Sequence, residues 1–340
     1  VTEAFNLHAS YNKGFRAPPL PKLFAPQALR TAPGFQNDPL LCPGGVVNTA
    51  AGGIAARDCG TIYSTLTGGN PKLDPQTSTA YAVGLDVKLD DTIAGGRLSF
   101  GVDYWHYQLD DVIGTLSPNA IFADTTTFAA YIVRCSAADK AFAPNTTTCA
   151  YPGGTGDPIA YTLTNNANVG AVKTSGVDVT AAWSTESAYG TFAVDYRGTY
   201  VSEYDFQRLP GTPFISRAGV VVDGFPAIKY GHYLSLGWQQ GAWAVNLQNR
   251  YTGGYGDCNA NCGIPATLFN DVSAYSLWNL TAAYEISDAW TVMAHVNNIF
   301  DKDPPFTNNN VSNCAGCELR FVDPTGRAFG ITIRGKLGAK

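Results

Sequence analysis

Along ten segments of this 340-residue chain apolar side chains recur at every second position, yet nowhere do they run together for the ~20 residues that a membrane-crossing helix needs. A period of two belongs to the β-strand, whose successive side chains point to opposite faces of a sheet. The segments span approximately 2–14, 74–89, 97–114, 169–184, 190–205, 227–239, 242–255, 274–286, 289–300 and 327–337, bounded by Gly, Asp, Asn and Pro clusters. In the third, Leu98, Phe100, Val102 and Tyr104 share one face and Ser99, Gly101 and Asp103 the other. Trp278, Leu280, Ala282 and Tyr284 oppose Asn279, Thr281, Ala283 and Glu285 in the same way. One face suits lipid and the other water, and aromatics near the ends of the apolar stripe suit the girdles of a membrane barrel. Helical membrane proteins are excluded, whereas a barrel is not. Many segments exceed the ~9–11 residues that cross a bilayer, so they are expected to project beyond it.

The connections alternate in length. Short turns fall near Asp90–Gly96, Glu186–Gly190, Gln239–Gly241 and Ser287–Ala289, and long loops run through 16–72, 115–168, 206–226, 256–273 and 301–326. Short turns at one rim and long loops at the other are the layout of outer-membrane barrels, with the long loops outside. A soluble sandwich, propeller or β-helix also has many strands and turns. No fixed-period repeat is present and soluble domains seldom carry loops of this length, so the barrel is preferred. No Pro/Ser- or charge-rich linker divides the chain, and one architecture is expected over residues 1–340. A net charge of −5, with Lys and Arg thinly spread, argues against nucleic acid as a partner.

Eight cysteines fall as four near neighbours within four of the long loops: Cys42 with Cys59, Cys135 with Cys149, Cys258 with Cys262, and Cys314 with Cys317. Pairing inside one loop demands no contact between loops, so four local disulfides and an oxidising compartment are expected. The opening residues, VTEAFNLHASYNKGF, read as a strand without the regions of a signal peptide, and the chain is expected to begin within a longer protein.

Several motifs carry a family resemblance. Gly14-Phe15-Arg16-Ala17-Pro18-Pro19, followed by Leu23-Phe24, is similar to the segment that ends a barrel strand in TonB-dependent receptors. Gly69-Asn70-Pro71-Lys72-Leu73-Asp74-Pro75-Gln76-Thr77-Ser78, leading to Tyr81 and Gly84, resembles that family's "GNPxLxPExS" strand start, with Gln76 in place of Glu. Asn168-Val169-Gly170 with Ser175-Gly176-Val177-Asp178 resembles its "NxG…xGxE" segment, with Asp178 in place of Glu. Phe225-Pro226-Ala227-Ile228-Lys229-Tyr230 is similar to "LPxHK", Val296-Asn297-Asn298-Ile299-Phe300-Asp301-Lys302 to "VxNLFDK", and Gly326-Arg327 opens the final strand. These motifs come in the family's order. Physically they punctuate: Pro18, Pro19, Pro75 and Pro226 are placed at strand ends, where a missing N–H breaks no ladder bond. One departure is the C-terminus, where Leu337, followed by Gly338-Ala339-Lys340, stands where such barrels usually end on an aromatic.

The resemblance implies an all-β, antiparallel transmembrane β-barrel with short periplasmic turns and long extracellular loops. This chain would form about the last ten of 22 strands, without the plug or the TonB-binding segment. It further implies the bacterial outer membrane, contact with outer-membrane lipid, and an extracellular ligand. That ligand would be a scarce nutrient such as a ferric siderophore, with cobalamin, haem and oligosaccharides as alternatives. The TonB complex would act through the missing N-terminal region.

Enzyme chemistry finds little support. His8, His106, His232 and His295 lie on different predicted strands with no HExxH-like spacing and are read as wall residues. Cys314-Ala315-Gly316-Cys317 could be half a zinc site or a redox pair, but no thioredoxin-like βαβ pattern surrounds it, and a small structural disulfide is preferred. Asp110 and Asp111 are strand neighbours on opposite faces and cannot share a site. No GxSxG, GxGxxG or Walker loop is present. No catalytic, cofactor-binding or metal-binding residue is assigned, and no single ligand contact is chosen among the many loop Tyr, Asn and Thr. The rival reading is a complete ten-stranded outer-membrane barrel enzyme of the surface-protease type, for which Asp110, Asp111, Asp205 and Asp301 lie near the rim without an accompanying His. A secreted structural β-protein is the third.

Overall fold

The computed structural model describes residues 4–32, 34–142, 146, 148–207, 209–222, 225–257, 270–307, 314 and 316–336. Ten long strands follow one another as antiparallel neighbours in chain order. They are β1 (Phe5–Arg16), β2 (Gln76–Leu89), β3 (Arg97–Asp110), β4 (Val172–Ser187), β5 (Gly190–Phe206), β6 (Tyr230–Gln240), β7 (Trp243–Thr252), β8 (Tyr275–Ser287), β9 (Trp290–Asn297) and β10 (Ala328–Gly335). These are the ten segments that the alternation marks. Their ends shift for identifiable reasons. β3 stops at Asp110 because Asp111 takes a left-handed φ of 54°, so the two carboxylates are not the opposed strand pair expected above. Ala167–Asn168 pairs with Ile113–Gly114 in a separate ribbon ahead of β4. Phe225–Ala227 belongs to a loop sheet, which puts Pro226 inside a loop strand and not at the start of β6. Leu337 and the residues after it lie outside the described residues.

Register keeps the apolar side chains in line across the sheet. Val102 lies between Leu85 and Val179, Phe100 between Val87 and Ala181, and Leu247 between Leu236 and Leu280. Because the side-chain period is two, a slip of one residue would carry this whole set to the polar face. No protein core covers it: Leu7, Ile331 and Ile333 are 67%, 76% and 65% exposed. An apolar surface of this extent marks contact with a partner or a membrane. Trp238, Trp243, Tyr284 and Trp290 sit near the short-turn ends of their strands, and Tyr81, Tyr200, Tyr230 and Tyr251 toward the long-loop ends. Trp243 and Tyr251 lie on one strand about 27 Å apart at the usual rise, which a tilt of about 40° reduces to ~20 Å, close to the ~25 Å apolar band of an outer-membrane barrel.

The opposite face is polar and concave, with Ser99, Ser184, Asp195, Ser235 and Asn246 from β3 to β7 lining one hollow. Among the described residues β1 pairs only with β2 and β10 only with β9. The sheet is therefore an open barrel wall, and the closed ten-strand barrel of the rival reading does not form. No helix among the described residues is long and apolar enough to cross a membrane, which says nothing of strands.

Tight packing sits at the long-loop end. Tyr63, Phe128, Leu41, Ile121 and Ile159, all between connections, are among the largest fully buried side chains. The first two long loops share a four-stranded sheet of Ala28–Thr31, Ser64–Thr67, Ile159–Leu163 and Ile132–Arg134, in that order. The third and fourth share another, of Phe225–Ala227, Val220–Val222, Tyr255–Asp257 and Asn270–Val272. The long loops are thus joined to one another, by strand pairing that no local pattern in the sequence marks.

Candidate ligand-facing surface

Three of the sequence motifs meet in one knot at the rim. Asn70 Nδ2 donates to Asn166 O (3.0 Å), and the Asn70 and Gly69 amides donate to Lys22 O and Ala25 O, both at 2.9 Å. Asn168 Oδ1 accepts from Asp74 N (2.9 Å) while its Nδ2 donates to Asp74 O (3.0 Å) and Asp111 O (2.8 Å). A Cβ on Gly69 would lie 2.5 Å from Leu23 O, so the approach of the two segments requires glycine there. The fifth motif is a second knot: Asn298, 3% exposed and at φ 52°, accepts from Lys302 N and donates to Lys302 O, while Asp301 accepts from Arg327 N (2.9 Å) at the start of β10. Their asparagines satisfy backbone groups where the ladder ends, so these motifs hold the loops.

Above the first knot the paired loops form a cap. Cys42 is bonded to Cys59 and Cys135 to Cys149. Between the loops, Arg134 forks onto the buried Asp38, with Nη1 and Nη2 each 3.0 Å from a carboxylate oxygen, and Nη1 also donates to Asp157 O (2.7 Å). Arg57 pairs with the buried Asp58 at 2.7 Å and 2.8 Å, and the Asp58 carboxylate beside it raises its pKa. Tyr63 donates to Asp58 O (3.1 Å), and burial drives its phenol far above the ordinary range. The second cap, built from the third, fourth and fifth long loops, packs Val221, Tyr255 and Val272 against Phe321 and carries the Cys314–Cys317 bond. Its Glu318 accepts from Arg320 at 2.7 Å, which holds the carboxyl below its usual range, and Asp257 accepts from Thr307. Cys258 and Cys262 lie outside the described residues.

All four histidines lie in the wall. His232 and His106 sit on the apolar face near the long-loop end, His232 stacked on Tyr251 and bonded to Asn249 Oδ1 (3.0 Å), His106 stacked on Tyr81. His295 and His8 face the hollow, and His8 Nε2 lies 2.6 Å from Asp103 Oδ1 across Gly84. Among the described residues no three His, Cys, Asp or Glu side chains converge as a metal site.

At the mouth, where β4 and β5 rise past the rim, a cavity of about 430 Å³ opens on the same face as the hollow. Val112, Leu116, Val169, Tyr204, Phe206 and Arg217 line it. Arg217 is 9% exposed and lies 5.8 Å from the Phe206 ring centroid. Sequence reasoning singled out none of Asp38, Arg134 or Arg217; Asp38 and Arg134 meet from two different loops and leave no local signal. The asparagines of the knots did carry one, in their motifs.

Comparison with known proteins follows this geometry. The model of the family described as TonB dependent receptor-like, beta-barrel, matches residues 1–299. A point mutant of the ferric enterobactin receptor (PfeA) of Pseudomonas aeruginosa superposes with a TM-score of 0.60 at 18% identity, over 98% of this chain and 38% of that one. The siderophore receptor PirA of Acinetobacter baumannii gives 0.59 at 15% identity, over 98% and 39%. The chain thus spans about two fifths of the structures it matches, and at these identities the likeness concerns the fold. No curated protein is similar enough in sequence to match.

Proposed function

Since the chain belongs to the TonB-dependent receptor-like β-barrel family, we propose that it is a wall segment of an outer-membrane receptor that takes up a scarce extracellular ligand, with a ferric siderophore as that ligand. In this reading the apolar face meets outer-membrane lipid, the hollow faces the lumen, and the two caps stand outside the cell. The observation that carries it is the asymmetry of the wall: every packed, disulfide-bonded connection lies at one rim, above a polar concave face. Passage through the lumen requires a closed wall, and the unpaired edges of β1 and β10 are where further strands join. Energy comes from the TonB complex, whose contact is assigned to no residue of this wall. The role is binding and passage, with no enzymatic step.

Deletion of the gene, followed by uptake of labelled iron chelates, haem and cobalamin into iron-starved cells, tests this reading. Loss of iron-chelate uptake alone is expected. Unchanged chelate uptake with loss of cobalamin or haem uptake would overturn the ligand while leaving the receptor, and unchanged uptake of all three would overturn both.

A further inference from the structure

On the reading that the apolar face meets outer-membrane lipid, one group of side chains on that face is out of place: Tyr196, Tyr230, His232, Asn249 and Ser276, on β5 to β8, form a single hydrogen-bonded chain near the long-loop end. We propose that this chain is a binding site for a phospholipid whose headgroup ends in a primary ammonium.

The chain has a direction, set at its buried end. Asn249 is 3% exposed. Leu277 O can only accept, so the Asn249 atom 3.1 Å from it is the amide nitrogen, which also donates to Ser276 Oγ at 2.9 Å. Asn249 Oδ1 then faces His232 Nε2 at 3.0 Å and accepts its proton. A neutral ring is the form that a lipid-facing surface favours, and none of the described partners of His232 is a carboxylate. Its Nδ1 is therefore bare and accepts from the Tyr230 hydroxyl (3.1 Å), whose oxygen accepts in turn from the Tyr196 hydroxyl (2.8 Å). Both hydroxyl protons point inward, and the two tyrosines offer the membrane lone pairs only.

Aromatic rings surround these acceptors. His232 stacks on Tyr251 with centroids 5.0 Å apart, and lies 5.5 Å from Tyr196 and 5.6 Å from Tyr230. Tyr196 reaches the cluster by folding back over Gly198, where a Cβ would lie 2.5 Å from its hydroxyl. No lysine or arginine belongs to the group. Ring faces and oxygen lone pairs suit a cation that carries N–H donors. Tyr196 and Tyr230 give a phosphate no proton, and a quaternary ammonium has no N–H for their oxygens. Leu234, Leu236 and Leu247 continue the same face toward the short turns, a surface for acyl chains.

The test is lipid retention by the intact receptor, stripped of lipid in detergent and offered phosphatidylethanolamine, phosphatidylcholine and phosphatidylglycerol with identical acyl chains, read by native mass spectrometry. The unaltered protein should retain phosphatidylethanolamine about fivefold more than either of the others. Tyr230→Phe, which ends the chain at His232, and Gly198→Ala, which displaces the Tyr196 hydroxyl, should each reduce that lipid to the level of phosphatidylcholine and leave the other two unchanged. Equal retention of all three overturns the site while lipid contact stands, as does an ethanolamine preference that Tyr230→Phe leaves intact. A preference for phosphatidylglycerol also overturns it, because the chain would then run outward and present donors. Retention of no lipid at all overturns the lipid reading of the face and the site with it. Should Gly198→Ala fail to assemble, as judged by loss of heat-modifiable migration, Tyr230→Phe decides alone.

Discussion

A single missing side chain sets the geometry of the polar row. His8, Gly84 and Asp103 lie side by side on β1, β2 and β3, and His8 reaches Asp103 only because Gly84 has no Cβ: one built there would lie 2.0 Å from Asp103 Oδ1 and 2.4 Å from His8 Nε2. Gly84→Ala should force these two side chains apart and destabilise the wall by roughly 1–2 kcal/mol, read as a lower temperature for losing the heat-resistant folded band. An unchanged temperature would mean that the contact contributes nothing. Asn298 presents a different case, because its left-handed φ and its side-chain bonds favour different replacements. Asn298→Gly relieves the backbone but loses the bonds to Lys302, while Asn298→Ala loses the bonds and keeps the strain. Both should loosen the β9–β10 connection, Ala by about 1 kcal/mol more than Gly, as measured by hydrogen exchange in β10. The motif Val296–Lys302 was legible in the sequence as a family signature. Its physical reason was not, since it lies in contacts between Asn298 and Lys302 and between Asp301 and Arg327 that no periodicity encodes.

Among the elements, wall and caps differ in how they are specified. Every wall strand was legible because one alternating face is enough to mark it, and its neighbour in chain order is its neighbour in space. The caps were not: Ser64–Leu66 pairs in parallel with Tyr161–Leu163, and Asp38 meets Arg134, across separations that leave no local pattern. Their buried carboxylates Asp38, Asp58 and Glu318 are each paired with an arginine. Arg134→Met should leave Asp38 buried without its cation and cost the first cap about 3 kcal/mol, seen as faster trypsin cleavage within residues 17–75 while the wall stays intact. Reduction of Cys42–Cys59 should act in the same direction, by about 3 kcal/mol on the loop-entropy account. The second cap should respond to acid. Arg320 lowers the Glu318 pKa in the folded protein relative to the unfolded chain, so its stabilisation is complete above the ordinary carboxylate range and is lost as the pH falls through the folded value. Hydrogen-exchange protection around Glu318–Val322, taken relative to the intrinsic rate at each pH, should therefore be unchanged from pH 7 to about 5 and fall below about 4. Protection that falls between pH 7 and 5 would point to another group.

At the scale of the whole molecule the decisive property is what covers the apolar face of the sheet. The wall has no apolar core, so a soluble fold would have to cover Leu7, Phe329, Ile331 and Ile333 with another layer, and the open edges of β1 and β10 would still need partners. In a bilayer the same side chains need no cover, and the polar row from Ser99 to Asn246 becomes the lining of a water-filled or plugged lumen. Two substitutions on one strand separate these cases. Val102, between Leu85 and Val179, stands within the apolar face, and Ser99, opposite Lys88 and Ala182, within the polar one. Val102→Arg in the intact receptor should cost about 2–4 kcal/mol, the amount expected for a cation on the lipid face near the bilayer midplane, whereas Ser99→Arg should cost less than about 1 kcal/mol. Urea unfolding in liposomes supplies both values. Equal costs at the two positions would mean that the apolar face is covered by protein, and a larger cost at Ser99 would invert the wall; a penalty confined to Val102 places lipid against β3 and the hollow around the lumen.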